Sequence, residues 1–484
     1  MVEKTVKESP QLFLLDGSSY IYRAYYGVRD LATSGGLPTN AVFGFTRMLL
    51  GLLQEHSPEY LAVVFDRPRD ETFRRELYPE YKANRDAMPE DLVPQVPYIR
   101  KVLQALNIPA LEAPGFEADD VIASLARRVA TEGIRVTVVT GDKDLMQIVG
   151  EKIRLLDTMK DSCSGPREVL ERFGVPPERV PDVLGLAGDT SDNIPGVPGI
   201  GEKTAAKLVK QFGSLEGVFR WKDLVNGKKR RESLQNYLDQ ALLSKSLATV
   251  RYDVELNVTL ADLRRQQPNL GDLLPLLREL EFEALAVAFT PPPAGVVEIH
   301  CDGSGQTSGP GGYGAILRYG GQEKELSGFE PEATSQRMEL LAAIRGLEAL
   351  HGPKTVRVYS DSQYLVRGMS QWVQGWIRKG RLYTPGALVN QDLWQELVSL
   401  AAKHKVSWEW LRGHAGHPFN ERCDRLAKRA AADGIRAAAA VRTEESNKEE
   451  KPIPVPAPPA LKMPLPPGEM REFEADEDGQ LRLY

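Results

Sequence analysis

Three apolar runs in the first half of the chain each lead into an aspartate: LFLL into Asp16, YLAVVF into Asp66 and VTVVTG into Asp142. Helical patterns such as Ala41–Leu53 and Val121–Ala130 lie between them. Strands alternating with helices form parallel sheets, whose ligands sit beyond the carboxyl ends of the strands. The three aspartates are therefore expected on one edge. Glu117, Asp119 and Asp120 in GFEADDVIASLA, then Asp144, then Asp189 and Asp192 in GDTSDN, add to them. Singly, each has a plain reading, because acids cap helix N-termini and aspartate is common in turns. Gathered together, nine like charges need neutralisation. Oxygen-only ligands select Mg²⁺ or Mn²⁺, and two such ions can hold a phosphodiester for in-line attack by water.

Directly after these acids comes Gly196-Val-Pro-Gly199-Ile-Gly201-Glu-Lys203, with Lys207 one turn on. Closely spaced glycines before a helix let backbone N–H groups approach phosphate. Upstream, FRRELYPEYKANR carries Arg74, Arg75, Tyr81, Lys82 and Arg85. This stretch reads either as a solvated basic helix face or as a gate that holds phosphates and stacks a base on Tyr81.

The division of the chain follows from its breakers. Thr290-Pro-Pro-Pro-Ala-Gly295 interrupts helix and strand alike, and beyond Ala437–Ala440 the sequence becomes rich in proline and acid. We expect domains at 1–290 and 295–436 and a disordered tail at 437–484. The net charge of -6 argues against a polyanionic partner, but six basic against ten acidic residues fall in that tail. With the carboxylates expected on metals also set aside, the folded surface is basic, as phosphate binding needs. No run approaches the ~18 apolar residues of a membrane span. The charged N-terminus lacks a signal-peptide pattern, and three cysteines suit a reducing cytoplasm.

The second domain begins with EIHCDGSG, a strand ending at Asp302. Glu339 follows in a helix with Gln336, Asp361 ends the strand VRVYSD, and VSWEWLRGHAGHPFNERCDRLA supplies His414 and Asp424. Four carboxylates from four elements again suit two divalent cations.

The first set of motifs, LLDGSSYIYRAYYG, VVFDRPRDETFRRELYPEYKANR, GFEADDVIASLA, TGDKDLMQIV and GDTSDNIPGVPGIGEKTAAKL, resembles the 5′-nuclease domain of bacterial DNA polymerase I, of the flap-endonuclease family, across residues 10–290. The resemblance implies a parallel-sheet α/β domain with a helical arch, a helix-three-turn-helix duplex clamp around Gly196–Lys207, and a two-metal site. Asp16, Asp66, Glu117, Asp119 and Asp120 correspond to a first metal group, and Asp142, Asp144, Asp189 and Asp192 to a second. Arg23, Lys82 and Arg85 correspond to catalytic cations, and Arg74, Tyr81, Gly196, Gly199, Gly201 and Lys203 to substrate contacts.

The second set, DGS, RMELLAAI, SDSQYLVRG, NQDLW and RGHAGHPFNERCDRLA, resembles a type 1 ribonuclease H with a five-stranded mixed sheet. That resemblance puts Asp302, Glu339, Asp361 and Asp424 on two metals and His414 in a catalytic role. Thr334, Gln336, Trp372 and Asn390 would contact an RNA–DNA hybrid, read through its 2′-hydroxyls. The segment around Trp372 and Trp376 is a sparse version of the family's basic handle, with only Arg378, Lys379 and Arg381 as cations.

Together they imply a bifunctional, cytoplasmic, metal-dependent nuclease acting on 5′ flaps or ends and on RNA in hybrids, as in primer removal. A repair or R-loop nuclease and a non-catalytic nucleic-acid-binding scaffold are the alternatives. The last residues, Gln480, Leu481, Leu483 and Tyr484, resemble the short peptide by which bacterial replication proteins dock on the sliding clamp.

Overall fold

Apolar residues on both faces of the central strands force the first sheet to be covered on both sides. In a computed structural model, which describes residues 10–68, 71–306, 309–413 and 416–449, six strands form this sheet. They are β1 (Gln11–Asp16), β2 (Tyr60–Val64), β3 (Ala110–Leu111), β4 (Arg135–Val139), β5 (Ile153–Asp157) and β6 (Ser162–Ser164). Their order is β3-β2-β1-β4-β5-β6, parallel except for β6. Along β1, Leu12 and Leu14 face one core while Phe13 and Leu15 face the other. That alternation is the period-2 rule for a strand buried on both faces.

The helix Ala118–Thr131 fills the first of these cores with Val121, Ile122, Leu125 and Val129. The helix Asn40–His56 fills the second with Val42, Phe45 and Leu49. The expected arch segment contains only the five-residue helix Phe73–Leu77, followed by turns. The expected clamp is the pair of helices Val180–Ala187 and Glu202–Phe212 with the Gly188–Gly201 turns between them.

The second sheet consists of β7 (Val296–Ser304), β8 (Gly311–Tyr319), β9 (Gln322–Glu330), β10 (Thr355–Ser360) and β11 (Lys405–Trp410), in the order β11-β10-β7-β8-β9. The β7–β8 and β8–β9 pairs are antiparallel and the others parallel, giving the mixed sheet expected. On β7, Val297, Ile299 and Cys301 face the helix Ser335–Glu348, while Glu298, His300 and Asp302 line the opposite face and are also buried. Gly303 is required where that helix meets the strand, because a Cβ there would lie 2.3 Å from the Glu339 backbone nitrogen.

Residues through Ala432 form one unit, and the described chain beyond it completes the helix Pro418–Glu449. The helix therefore runs through position 437, where the second domain was expected to give way to the tail. The alanine run and the following Arg, Glu and Lys residues are good helix formers, and no proline intervenes before Pro452. The sequence Gln480–Tyr484 lies outside the described residues.

Candidate active sites

Three strand ends carry Asp16, Asp66 and Asp142. Asp16 terminates β1, caps the helix Gly17–Gly27 by accepting from the Ser19 N–H at 2.9 Å, and accepts from Thr140 Oγ1 at 2.9 Å. Asp66 follows β2 and accepts from the Ala118 N–H at 2.8 Å, which brings it to the start of the helix bearing Asp119. Past β4, Asp142 accepts from the Asp144 N–H at 2.8 Å.

Electrostatics sorts these acids into two kinds. Among the described residues, no ion pair reaches Asp16, Asp66, Asp119 or Asp142. Burial, Asp66 and Asp142 push Asp16 up to about 7, even though its Ser19 and Thr140 hydrogen bonds favour ionisation. Burial, Asp142 and Asp16 hold Asp119 well above the carboxylate range. Burial and Asp142 raise Asp144 to about 7 despite Lys143 at 3.0 Å.

The remaining acids already have protein cations. Burial disfavours ionised Glu117, but Lys82 Nζ at 2.7 Å and Arg74 Nη1 at 3.2 Å outweigh it and hold its carboxyl low. Asp189 is held low in the same way, by Lys143 and by the Ser191 N–H at 2.7 Å. Asp192 pairs with Arg85 and, at 3.5 Å, with Lys82. Lys143 thus bridges Asp144 and Asp189, a role the sequence pattern did not suggest.

Five of the expected site residues, Arg74, Asp120, Tyr81, Gly196 and Lys82, are buried and have partners inside the protein. Arg74 is 2% exposed and grips Asp120 through both terminal nitrogens, at 2.6 and 2.8 Å, while donating to the Leu247 and Thr249 carbonyls. It is an internal strut, not a phosphate contact. Asp120 is consumed by this pair and by the capping box of its own helix, which leaves it no lone pairs directed at a metal. The Tyr81 hydroxyl donates to Glu117 at 2.9 Å and to Asp192 at 3.2 Å, so its buried ring offers no stacking face. Gly196 is buried: a Cβ there would lie 2.3 Å from the Gly188 nitrogen, and its N–H donates to Ser244. It serves close packing, whereas Gly199, Gly201 and Lys203 are exposed at the turn and helix start. Lys82 is likewise enclosed by carboxylates, and its backbone N–H donates to the Asp192 carbonyl at 2.9 Å. Arg23 lies 3.8 Å from Asp157 and, with Ser19, Asp142, Lys143, Lys160 and Arg172, lines a cleft of about 620 Å³.

In the second domain Asp302, on β7, accepts from the Gly303 N–H at 2.7 Å. Burial, Asp361 and Asp424 raise it to about 8, and burial and Asp361 raise Glu339 to about 7 despite a hydrogen bond from Ser362. Asp361 accepts from Asn420 Nδ2 at 3.0 Å, and Asp424 pairs with Lys428 at 2.7 Å. Ser362 and Asn420 are partners that a search for acids alone overlooks. Gln336 is exposed one turn from Glu339. Trp372 is exposed beside Trp376, with ring centres 6.0 Å apart. Asn390 starts the helix Gln391–Ala401 in left-handed conformation, with its buried Nδ2 unpartnered among the described residues. His414 lies outside the described residues.

Among the described residues, no three carboxylates close on a single point as a finished metal cage. Both clusters nevertheless fit divalent cations chemically, being oxygen-only donors whose mutual repulsion raises their proton affinity.

These features define a chain built from two hydrolytic nuclease domains. Residues 11–174 match the family model of the 5′-3′ exonuclease N-terminal resolvase-like domain, and 175–270 that of the 5′-3′ exonuclease C-terminal SAM fold. Residues 294–432 match the RNase H family model. The 5′-3′ exonuclease of Aquifex aeolicus is 40% identical over 275 residues, covering 57% of this chain and 93% of that protein. The DNA polymerase I of Rhizobium leguminosarum is 42% identical over 292 residues, 59% of this chain, and that match spans only 29% of the polymerase. This chain belongs to the 5′-3′ exonuclease family and carries an RNase H domain. Among solved structures, the T5 D15 protein co-crystallised with metal ions is 22% identical over 49% of this chain and 89% of that one, with a TM-score of 0.43. LC9-RNase H1, a type 1 RNase H with the type 2 active-site motif, is 34% identical over 30% of this chain and 76% of that one, with a TM-score of 0.27.

Two expectations follow. Arg74→Ala leaves Asp120 buried and uncompensated, so unfolding in urea should show a loss of about 3–5 kcal/mol; a change confined to DNA affinity would restore the phosphate-contact reading. The second concerns pH. Asp16, Asp144 and Glu339 titrate near 7 and Asp302 near 8 in the fold, against about 4 when unfolded. Their folded forms bind protons more tightly, so the stability they contribute is present at low pH and lost as pH rises from about 4 to 8. Metal-free protein should weaken over that range. Calorimetry at pH 7 in two buffers of different ionisation heat should show protons released as Mg²⁺ binds; binding without proton release would contradict the assignment.

Proposed function

We propose that this chain is a cytoplasmic, bifunctional, Mg²⁺- or Mn²⁺-dependent nuclease that removes RNA primers during DNA replication. The observation that carries this reading is the presence of two separate clusters of mutually repelling carboxylates, one at each sheet edge. In the first domain Asp16, Asp66, Asp119, Asp142 and Asp144 would hold two cations, with Glu117, Asp189 and Asp192 orienting the surrounding lysines and arginines. In the second, Asp302, Glu339, Asp361 and Asp424 would do so. Such ions polarise a phosphodiester and lower the pKa of an attacking water.

The chain's own residues supply the rest. Arg23 and Arg85 stand at the first site's margin to receive a scissile phosphate, Lys82 keeps Glu117 ionised, and the exposed Gly199–Lys203 turn would hold a duplex backbone. The second domain would place the hybrid across Gln336, Trp372 and Asn390, with His414 assisting proton transfer or product release. It would cut RNA within the hybrid to 5′-phosphate and 3′-hydroxyl ends. The first domain would then take the remaining ribonucleotide or displaced 5′ flap.

The assignment is tested on a primer-like RNA–DNA chimera annealed to DNA. Asp142→Ala should abolish flap cleavage, by more than about 100-fold, and spare hybrid cleavage, and Asp361→Asn should do the reverse. Loss of both activities in either variant would defeat the two-site reading.

From their sequence, Gln480, Leu481, Leu483 and Tyr484 would dock on the sliding clamp as a peptide in an apolar groove, raising the local concentration of both nucleases at their substrate. Deleting 480–484 should leave cleavage of short oligonucleotides intact and remove stimulation by the clamp; undiminished clamp binding after the deletion would end this proposal.

A further inference from the structure

The helix Asn40–His56 is amphipathic on two sides. One side fills the core of the first domain. Phe43, Arg47, Leu50 and Gln54, spaced at three or four residues, share one face at the margin of that core: Leu50 is buried in it and Phe43 packs edge-on against Phe282 at 5.2 Å, while Arg47 and Gln54 reach beyond it. This face meets the segment Gly416–Arg425 of the second domain. Gly416 adopts φ +78°, and a Cβ there would lie 2.3 Å from Phe43 Cζ, so the ring leaves no space for any larger residue. Arg47 Nη1 lies 3.6 Å from Glu421 Oε1, and Arg425 Nη2 donates to Gln54 Oε1 at 3.1 Å. The gap left among Arg47, Leu50, Gln54, Leu285, Pro418 and Glu421 is about 10 Å³, too small to hold more than one water.

The same ten residues supply Asp424 to the second candidate site and, in Asn420, a partner for Asp361. Asn420 donates to the Asp361 carboxylate, and Asp424 lies between Glu421 and Arg425, the two residues that reach across to the first domain. Phe419 is buried, stacked 4.7 Å from His300 and covered by Arg318, which also donates to the Thr290 carbonyl of the interdomain linker at 2.8 Å. Repulsion among Asp302, Glu339, Asp361 and Asp424 works against their convergence, so their placement depends on what holds their backbone.

We propose that the exonuclease domain completes the hybrid-cleaving site of its neighbour, with Arg47 and Phe43 as positioning residues that act through Gly416–Arg425 on Asp361 and Asp424. This rests on the reading of those two aspartates as metal ligands. A merely connecting interface would give the same contacts without affecting metal affinity or turnover.

The test uses the full chain and a charge exchange at the half-exposed Arg47–Glu421 pair. Arg47→Glu sets two carboxylates face to face, and Glu421→Arg sets Arg47 and Arg425 around a third guanidinium. Each single change should lower kcat for hybrid cleavage by about three- to tenfold and raise the Mg²⁺ concentration needed for half-maximal rate by a similar factor. KM for the hybrid and the rate of flap cleavage should stay within about twofold. Hydrogen exchange on the metal-free chain should show faster exchange at 417–425 in each single variant. The double exchange should restore all three readouts. Unchanged kcat and Mg²⁺ requirement in the single variants would overturn the proposal whatever hydrogen exchange shows, and so would failure of the double variant to recover. Absence of hybrid cleavage by the unaltered chain would count against the proposed function, while the metal-free exchange result would still decide whether the helix holds the segment.

Discussion

Repulsion between carboxylates is the constraint around which both domains are arranged. A parallel sheet brings strand ends to one edge, and this sequence puts an acid at each of three of them. Such a cluster is tolerable only if its members are protonated, ion-paired or bound to cations. The first domain uses the first two remedies side by side. Asp16, Asp119 and Asp144 have raised proton affinity, while Glu117, Asp189 and Asp192 are tied to Lys82, Arg85 and Lys143. The turns after the helix Phe73–Leu77 are drawn inward by these pairs, since Tyr81 and Lys82 can satisfy the acids only from the interior.

The skeleton of this arrangement was legible in the sequence because strand periodicity fixes where Asp16, Asp66 and Asp142 must emerge. The same holds for Asp361 just past β10, whereas Asp302, expected at a strand end, lies within β7, which pairs with β8 through Ser304. What a sequence cannot supply is the direction of a side chain in a segment without regular period. FRRELYPEYKANR reads as basic and exposed because its composition is charged, yet Arg74 and Tyr81 are among the buried residues. Their partners, Asp120 and Glu117, are more than thirty residues away, so no local signal marks the pairs. Asp120 looks equivalent to Asp119 on paper, but adjacent helix positions point about 100° apart, and one of the two must turn into the core.

Glycine was ambiguous for a related reason. Gly196, Gly199 and Gly201 share a motif, but the first meets the backbone of Gly188 while the others face solvent. Spacing identifies a turn and not which of its residues is pressed against a neighbour. In the second domain Asn420 and Ser362 stand among quoted motif residues, yet their hydrogen bonds to Asp361 and Glu339 exist only after β10, the helix Ser335–Glu348 and the final helix have packed together.

The bridge made by Lys143 between Asp144 and Asp189 has a consequence for how such a protein matures. A fold whose acids are partly balanced by its own lysines and arginines asks less of an ion than do small domains that are unfolded without their metal. On the proposed reading, divalent cations enter a finished scaffold and can leave it again without dismantling it. The supply of free ion then governs how many molecules work at a given moment, and each ion held by the folded clusters also adds to the stability of the fold.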